Sequence, residues 1–322
     1  MKSDTQSTVD QAFERADTTL ALKGKTFHGA RRLMGVTHAS RATRLYSFCR
    51  LIDDLADEAS SPEAGLAALR GLAADVVTGE STHQAIQDGI DLMRECGIEQ
   101  SVVLELIAGV VSDLDVVQMA DEDALLRYCY QVAGTVGLMM CKVLNTENSE
   151  ASLHAIDLGI AMQLTNICRD ISTDAALGRR YLPATLVGFL SPQALVHPEE
   201  SLQPCIRKCV EALLDMADQY YRSGELGLCY LPLGARSGIL SAARVYRAIG
   251  TRLRRRRSTY WLGRTVVPSS TKMLVTLQAL VAVPFKPSFW APSQRHDIRL
   301  HRAFSGFSGF GSHPVLQHVR HL

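Results

Sequence analysis

The amino-terminal half of the sequence has almost no proline. Pro62 is the only proline among the first 182 residues, and the other ten of the 11 prolines follow. Proline breaks a helix from within, so a long stretch without it, in which alternating strand patterns are also scarce, is typical of helices. We therefore predict an all-α fold.

The sequence also lacks an excess of charge of either sign. Its 34 lysines and arginines are matched by 33 aspartates and glutamates, which gives a net charge of +1. This balance argues against a protein that binds nucleic acid through an overall positive field, and we expect no nucleic-acid partner. The first residues are polar and lack the apolar core of a secretory signal, and the eight cysteines form no CxxC pair. Both features predict a cytoplasmic protein.

Long apolar runs are missing too. The segment "MLVTLQALVAVPF" (residues 273 to 285) is apolar for 13 residues, whereas a membrane-spanning helix needs about 20. Together with the basic run "RLRRRR" (residues 252 to 257), it suggests a peripheral contact with a membrane. A final core helix beside a solvated basic turn is the alternative.

Helical periodicity stops after Phe285, where proline, serine, glycine and histidine become frequent. We predict a single all-helical domain over residues 1–285 and a flexible tail over residues 286–322. The tail holds five of the ten histidines. Their irregular spacing, without cysteines, favours a solvated terminus over a metal-binding one.

Two stretches combine arginine and aspartate with apolar residues: "FCRLIDDLADE" (residues 48 to 58) and "NICRDISTDAALGRRYLP" (residues 166 to 183). At helical spacing, each places polar residues in one stripe beside an apolar face. The first stripe contains Tyr46, Arg50, Asp53 and Asp57. The second contains Gln163, Asn166, Asp170 and Asp174.

Carboxylates four residues apart on one helix repel each other by roughly 0.2–0.5 kcal/mol. Mg²⁺ offsets this repulsion, because it binds one or two protein carboxylates and completes its octahedron with water and phosphate oxygens. Two facing acidic helices would hold several Mg²⁺ ions around a diphosphate. Basic side chains would contact the same group: Lys25, Arg50, Arg169 and Arg179 or Arg180.

A solvated helix face with ordinary salt bridges is the alternative interpretation of one such stripe. The second acidic stripe makes it less favourable. Gln163 and Asn166 lie in the otherwise apolar run "LGIAMQLTNIC", where amides without partners would be costly to bury. These amides therefore predict a polar site inside the helical core.

"YSFCRLIDDLAD" and "QLTNICRDISTDAALGRRYLP" resemble the two aspartate-rich signatures of the squalene/phytoene synthase family, the head-to-head prenyl synthases. Further similar segments follow in family order: "KTF" (25 to 27), "YCYQVAGTVG" (128 to 137), "YYRSGELGL" (220 to 228), "AARVYRAIG" (242 to 250) and "RTVVPSSTK" (264 to 272). The resemblance covers roughly residues 13 to 283. It implies an isoprenoid synthase fold, with two DxxxD helices facing each other at the mouth of a central cavity.

The resemblance also implies site residues. The implied metal ligands are Asp53, Asp57, Asn166, Asp170 and Asp174. The implied catalytic residues are the same four aspartates with the aromatic Tyr46, Tyr128, Tyr181 and Tyr246. The implied substrate-binding residues are Lys25, Phe27, Arg50, Gly134, Val136, Gln163, Asn166, Arg169, Arg179 and Arg180. Among these, Gly134 matches a helix kink where the prenyl chain passes close to the backbone, and Val136 lies at the expected cavity floor.

The implied reaction joins two prenyl diphosphates head to head, with Mg²⁺ or Mn²⁺ as cofactor. "KTF" and the second signature are most similar to those of phytoene synthases, which implies two geranylgeranyl diphosphates as substrates, a role in carotenoid biosynthesis and no NADPH. Squalene or dehydrosqualene synthesis from farnesyl diphosphate is the alternative. A non-catalytic family member that assists respiratory-complex assembly is an alternative of another class, but the retained aspartates favour an enzyme.

Overall fold

The regular structure of the described chain is helical. The computed structural model describes residues 34–292 and 295–307, which contain helices and no β-strand. Gln118 and Arg180 pair in an isolated bridge. The predicted all-α fold is confirmed. Lys25 and Phe27 lie outside the described residues, so their roles stay predictions.

The helices follow one another through short connections. The α-helices are α1 (Val36–Asp57), α2 (Pro62–Thr78), α3 (Gln84–Cys96), α4 (Gln100–Ser112), α5 (Glu122–Cys129), α6 (Thr135–Val143), α7 (Ser149–Ala176), α8 (Ala184–Val187), α9 (Pro192–Val196), α10 (Gln203–Leu226), α11 (Leu233–Arg255) and α12 (Ser269–Ala282). A π-helical turn, Tyr130–Gly134, joins α5 to α6. The 3₁₀ turns are Gly227–Tyr230, Tyr260–Leu262, Val283–Phe285, Pro287–Phe289 and Ile298–Phe304.

The long helix α7 is the central element of the fold. It packs against α6, α9, α10, α11 and the π-helical turn. One apolar core lies between α1, α2, α3, α4 and α6, with Leu51 and Leu69 fully buried. A second lies between α7 and α10, with Leu164 and Val210 fully buried. Burial of this apolar surface is the main stabilising term for such a helical assembly.

Local sequence signals set several helix ends. The Ser61 side chain caps α2, and Pro62 occupies its first turn, where the missing N–H removes no helical hydrogen bond. Gly79 ends α2 with φ at +79°, a left-handed conformation that glycine adopts without strain. The Asn148 side chain caps α7. That cap starts the helix that carries the second acidic stripe.

Helices α6 and α7 touch through their backbones. A Cβ on Gly137 would lie 2.2 Å from the carbonyl oxygen of Ala155, and a Cβ on Gly159 would lie 2.2 Å from that of Ala133. Only glycine permits such an approach. Gly137 therefore sets the distance between α6 and α7, and Gly159 sets the distance between α7 and the π-helical turn.

The predicted kink is present as the π-helical turn Tyr130–Gly134. A Cβ on Gly134 would meet the Tyr130 ring at 2.9 Å and Ile156 at 3.2 Å. The passage of a prenyl chain beside Gly134 stays a prediction. Val136 is partly buried against the core of α1 to α4, so its place at a cavity floor stays a prediction.

Part of the predicted flexible tail is packed. Phe304 is fully buried and stacks on Tyr130, with ring centres 4.9 Å apart. The Tyr220 hydroxyl donates a hydrogen bond to the Leu300 carbonyl oxygen at 2.6 Å. The prediction of flexibility is therefore wrong for Ile298–Phe304. Isolated apolar residues anchor this segment, and they leave no periodic pattern in the sequence.

None of the helices in residues 34–292 and 295–307 combines the length and the apolarity that crossing a bilayer requires.

Candidate active site

The carboxyl-terminal ends of α1 and α7 carry the predicted aspartates and are joined by a salt bridge. Asp57 is the last residue of α1, and Arg179 follows α7. Arg179 Nη2 lies 3.4 Å from Asp57 Oδ1. The two acidic stripes, more than 100 residues apart in sequence, therefore meet in one region.

The carboxylate of Asp53, on α1, lies in an environment that disfavours its negative charge. Burial raises the pKa of Asp53 to about 7, and the charges of Asp57, Asp54 and Asp113 act in the same direction, while Arg50 opposes them. Arg50 forms a salt bridge with the buried Asp54 instead. The surroundings of Asp53 therefore disfavour its ionised form.

The two aspartates of α7 differ in their partners. Burial would raise the pKa of Asp170, but hydrogen bonds from Arg169 and Arg264 lower it. Arg169 Nε lies 2.9 Å and Arg264 Nε 2.8 Å from Asp170 Oδ1. The pKa of Asp174, by contrast, is raised to about 7, first by burial and then by the charge of Asp170.

A fifth carboxylate, Asp113, lies close enough to both acidic helices to affect their aspartates. It accepts hydrogen bonds from the Tyr181 hydroxyl at 2.6 Å and the Tyr128 hydroxyl at 2.8 Å. Burial still raises the pKa of Asp113 against these two bonds. Its charge also raises the pKa values of Asp53 and Asp174. Asp113 therefore couples the two stripes electrostatically.

The sequence prediction missed Asp113 and Arg264. Asp113 follows α4 directly. Its position at the end of an apolar helix was the only feature of the sequence that could have indicated a role. Arg264 opens the segment "RTVVPSSTK", in which no acidic partner is visible. Tyr128 and Tyr181, predicted as aromatic catalytic residues, are found at the site as hydrogen-bond donors to Asp113.

Of the two adjacent arginines 179 and 180, only one reaches the acidic region. Arg180 is 2% exposed and donates hydrogen bonds to the carbonyl oxygens of Met119 at 3.0 Å and Leu182 at 2.6 Å. Burial lowers its pKa. The substrate-binding role predicted for Arg180 is corrected, because its guanidinium holds the loop after α7 in place.

The amides and the remaining tyrosines lie beside the aspartates. Asn166 Nδ2 donates to Gln163 Oε1 at 3.4 Å, and Asn166 Oδ1 is buried without a hydrogen-bond donor among the described residues. Burial raises the pKa of Tyr46, with a contribution from nearby Tyr246. Gln163, Asn166 and Tyr46 come from the two helix stripes, whereas Tyr246 lies on α11. Their roles stay predictions.

These donors fit a hard divalent cation such as Mg²⁺. The site offers carboxylate oxygens and the unpartnered amide oxygen of Asn166, and hard cations prefer oxygen ligands. Among the described residues, these aspartates do not form a group of three donors close enough to share one ion. Mg²⁺ sites of this kind use one or two carboxylates and take their other ligands from water and phosphate.

Comparison with known proteins identifies the chain. The model of the squalene/phytoene synthase family matches residues 20–272. The chain belongs to this family. The match spans both acidic helices, Asp113 and Arg264.

Curated relatives in the family include phytoene synthases. The 15-cis-phytoene synthase of Pantoea ananas is 30% identical over 275 residues, which cover 81% of this chain and 88% of that protein. The phytoene synthase of Thermus thermophilus is 36% identical over 214 residues, which cover 66% of this chain and 73% of that protein. The chain therefore aligns with most of the length of both relatives.

Solved structures agree with the family fold. A dehydrosqualene synthase crystallised with a ligand superposes with a TM-score of 0.74 at 25% identity, covering 87% of this chain and 99% of that one. A squalene synthase from Alicyclobacillus acidocaldarius superposes with a TM-score of 0.66 at 20% identity, and the superposition covers 79% of this chain and 98% of that one. The isoprenoid synthase fold implied by the sequence is confirmed.

Proposed function

We propose that the protein is a phytoene synthase, which condenses two geranylgeranyl diphosphates head to head through prephytoene diphosphate and releases diphosphate. Phytoene synthases of Pantoea ananas and Thermus thermophilus are among its relatives at 30% and 36% identity. The role would be in carotenoid biosynthesis. Family membership supports a metal-dependent prenyltransferase.

The observation that carries the proposal is the clustering of carboxylates from two helices in one region. Burial raises the pKa of Asp53 on α1 and of Asp174 on α7 to about 7, and neighbouring carboxylates act in the same direction. Bound cations would offset the repulsion between these carboxylates. Asp53, Asp57, Asn166, Asp170 and Asp174 would hold Mg²⁺, or Mn²⁺, which as a Lewis acid stabilises a diphosphate leaving group.

The arginines of the site supply the remaining contacts to diphosphate. In the described conformation, Arg169 and Arg264 both bind Asp170, while Arg179 binds Asp57. With the aspartates bound to a cation, these guanidinium groups would be able to donate to phosphate oxygens, for which their planar geometry is suited. We expect the same salt bridges to hold the carboxylates in position before substrate binds.

Cleavage of the carbon–oxygen bond leaves an allylic carbocation and diphosphate. The cation survives only where water is excluded and where aromatic rings face it. Tyr46 and Tyr246 lie near each other beside Asp53 and Arg264, which suits them to this role. The cation alkylates the double bond of the second substrate, and loss of a proton closes the ring of a cyclopropylcarbinyl diphosphate. Release of the second diphosphate, rearrangement and loss of a second proton then give phytoene without a hydride donor.

Substrate length distinguishes the main proposal from its alternative. Each isoprene unit adds five carbons, and burial of one CH₂ contributes roughly 0.8 kcal/mol, so a cavity built for geranylgeranyl diphosphate should prefer it strongly. Squalene or dehydrosqualene synthesis from farnesyl diphosphate is the alternative, favoured by the structural likeness to a dehydrosqualene synthase.

We further propose that the protein contacts an anionic membrane surface, where an apolar hydrocarbon product can leave. Met273, Leu277 and Val281 on α12 are exposed, whereas Ala279 is buried. The neighbouring α11 carries the exposed Arg252 and Arg255. Apolar side chains beside arginines suit the interface of an anionic bilayer. Flotation at low salt with anionic and with neutral vesicles tests this: absence of binding to anionic vesicles would contradict it.

The decisive experiment offers the purified protein Mg²⁺ with geranylgeranyl and farnesyl diphosphates at equal concentration, with and without NADPH. We expect phytoene as the main hydrocarbon in both cases. Asp53→Asn and Asp170→Asn should abolish turnover with an unchanged helical circular dichroism spectrum, while Asp115→Asn, an exposed neighbour, should retain it. Mainly farnesyl-derived hydrocarbon would promote the alternative. No diphosphate release from any prenyl diphosphate would favour a non-catalytic assembly role.

A further inference from the structure

A second cluster of ionisable side chains lies far from the acidic region, where the carboxyl-terminal segment packs on α7. His154 and Asp157 are on α7, and Ser223 is on α10. His296 and His301 come from residues 295–307. Asp157 precedes Asp170 by 13 residues, about 20 Å along the helix axis. The cluster therefore does not belong to the proposed diphosphate site.

Asp157 is the centre of this cluster. Its Oδ2 accepts hydrogen bonds from His296 Nε2 at 2.7 Å and from the Ser223 hydroxyl at 2.5 Å, and its Oδ1 accepts one from His301 Nε2 at 2.7 Å. The Asp157 side chain is fully buried, and those of His154 and His296 are 1% exposed. An ionised carboxylate accepts about four hydrogen bonds. Among the described residues, one acceptor position of Asp157 is left for another ligand.

The hydrogen bonds also assign the protons on two histidines. Ser223 gives its single proton to Asp157, so at the 3.1 Å contact between Ser223 Oγ and His154 Nδ1 the imidazole must be the donor. In the neutral ring, His154 Nε2 then carries a bare lone pair. His296 donates through Nε2, so its Nδ1 is bare in the same way. Neither nitrogen has a hydrogen-bond partner among the described residues.

The charge of the cluster is unbalanced in this protonation state. Asp157 accepts three hydrogen bonds, the pattern of an ionised carboxylate, and among the described residues no arginine or lysine pairs with it. A buried negative charge beside two bare nitrogens is costly to maintain unless a cation binds there.

We propose that His154, Asp157 and His296 bind a divalent transition-metal ion of the zinc type, which fastens the carboxyl-terminal segment to α7. The three residues each offer a ligand atom, and these atoms lie within 4.8 Å of one another. Tetrahedral Zn²⁺ at about 2.0–2.1 Å from nitrogen and oxygen ligands requires a ligand spacing of roughly 3.4 Å. The ligand atoms would have to move to this spacing when the ion binds, and water would complete the coordination.

The donor set selects the metal class. Imidazole nitrogens suit Zn²⁺, Cu²⁺ and Ni²⁺, whereas Mg²⁺ prefers oxygen ligands and near-octahedral geometry. Histidine ligands of metals usually donate their other N–H to a carboxylate or another oxygen, which fixes the tautomer. His154 has this arrangement with Ser223, whose hydroxyl is held in turn by Asp157. The supporting hydrogen bond of one of the two histidine ligands is thus already formed.

Zinc binding by the full-length protein tests the proposal. The protein is freed of metal with a chelator, kept in excess Mg²⁺ to occupy the acidic region, and titrated with Zn²⁺ by calorimetry. We expect one Zn²⁺ per chain, with a rise in melting temperature. His154→Gln and His296→Gln should lose this binding, and Ser223→Ala should weaken it by about 10- to 100-fold. His197→Gln, at an exposed histidine, should retain it.

A triple variant of the histidines that follow residue 307, His313→Gln with His318→Gln and His321→Gln, should also bind one Zn²⁺. Zinc binding that disappears in this variant, or persists in both His154→Gln and His296→Gln, would overturn the proposal. Absence of stoichiometric binding to the wild-type protein would overturn it too, and would leave a protonated histidine as the counter-ion of Asp157. X-ray absorption of the zinc-loaded wild-type protein needs no variant: two imidazole ligands are expected, and an all-oxygen shell would refute the site.

Discussion

Replacement of Asp53 by asparagine should stabilise the metal-free protein while it removes activity. The pKa of Asp53 is about 7 in the folded protein, against an ordinary value of 3.8, and burial is the largest cause of this increase. A difference of about 3 pH units, at 1.36 kcal/mol each, corresponds to at most about 4 kcal/mol. Asparagine has nearly the same shape and does not ionise, so the variant avoids this penalty.

The sign of the pH dependence follows from the raised pKa. Between about pH 4 and pH 7, the folded protein holds a proton on Asp53 that the unfolded chain has released, so the free energy of unfolding falls as the pH rises. Below pH 4 both states are protonated and the penalty is absent. Above pH 7 it is present in full. The wild-type protein and Asp53→Asn should therefore differ at pH 8 and converge at pH 4.

Thermal unfolding in a chelator at pH 4, 6 and 8 measures this difference. At roughly 2 °C per kcal/mol, the lower end for domains of this size, the variant should melt up to about 8 °C higher at pH 8. Mg²⁺ should stabilise the wild-type protein more than the variant. Asp115→Asn, at an exposed aspartate, serves as control and should not change the melting temperature. A variant that melts at or below the wild-type temperature at pH 8 would refute the reasoning.

Three further predictions follow from single contacts. Tyr181→Phe removes a hydrogen bond to the Asp113 carboxylate, and such a bond is worth roughly 1.5–3 kcal/mol. The acidic limb of the pH profile of kcat/KM should therefore move up by about 1–2 pH units. An acidic limb that does not move would contradict the role of Asp113. Arg264→Gln should raise KM for prenyl diphosphate by about tenfold, as expected for one charge-assisted hydrogen bond at an exposed position, and an unchanged KM would show that this arginine does not reach substrate. Gly137→Ala should destabilise the protein by roughly 1–3 kcal/mol or more through overpacking. Gly71→Ala, where a Cβ meets nothing within 4 Å, should instead stabilise it by about 0.5–1 kcal/mol. Equal effects of the two variants on denaturant unfolding would argue against the close contact of α6 with α7.

The sequence was a poor guide wherever a contact joins distant segments. Arg179 and Arg180 are adjacent and chemically identical, so no local pattern tells them apart. The structure directs Arg179 to Asp57 and buries Arg180 among backbone carbonyls. Arg264 lies 94 residues from its partner Asp170. Residues 296–304 show no periodicity, yet His301 and Phe304 are buried against the domain.

The sequence by itself determined the helices and the composition of each acidic stripe. A helical period of 3.6 residues, little proline and polar caps such as Asn148 are local properties, so they place Asp53 with Asp57, and Asp170 with Asp174, on single faces. Only the tertiary structure decided what lies between these faces. Asp113 and the two tyrosines that bind it, the arginines that hold Asp57 and Asp170, and the histidines around Asp157 come together because helices far apart in sequence bury apolar surface against one another. That packing depends on the shape of all the side chains at once, which no local pattern of residues contains.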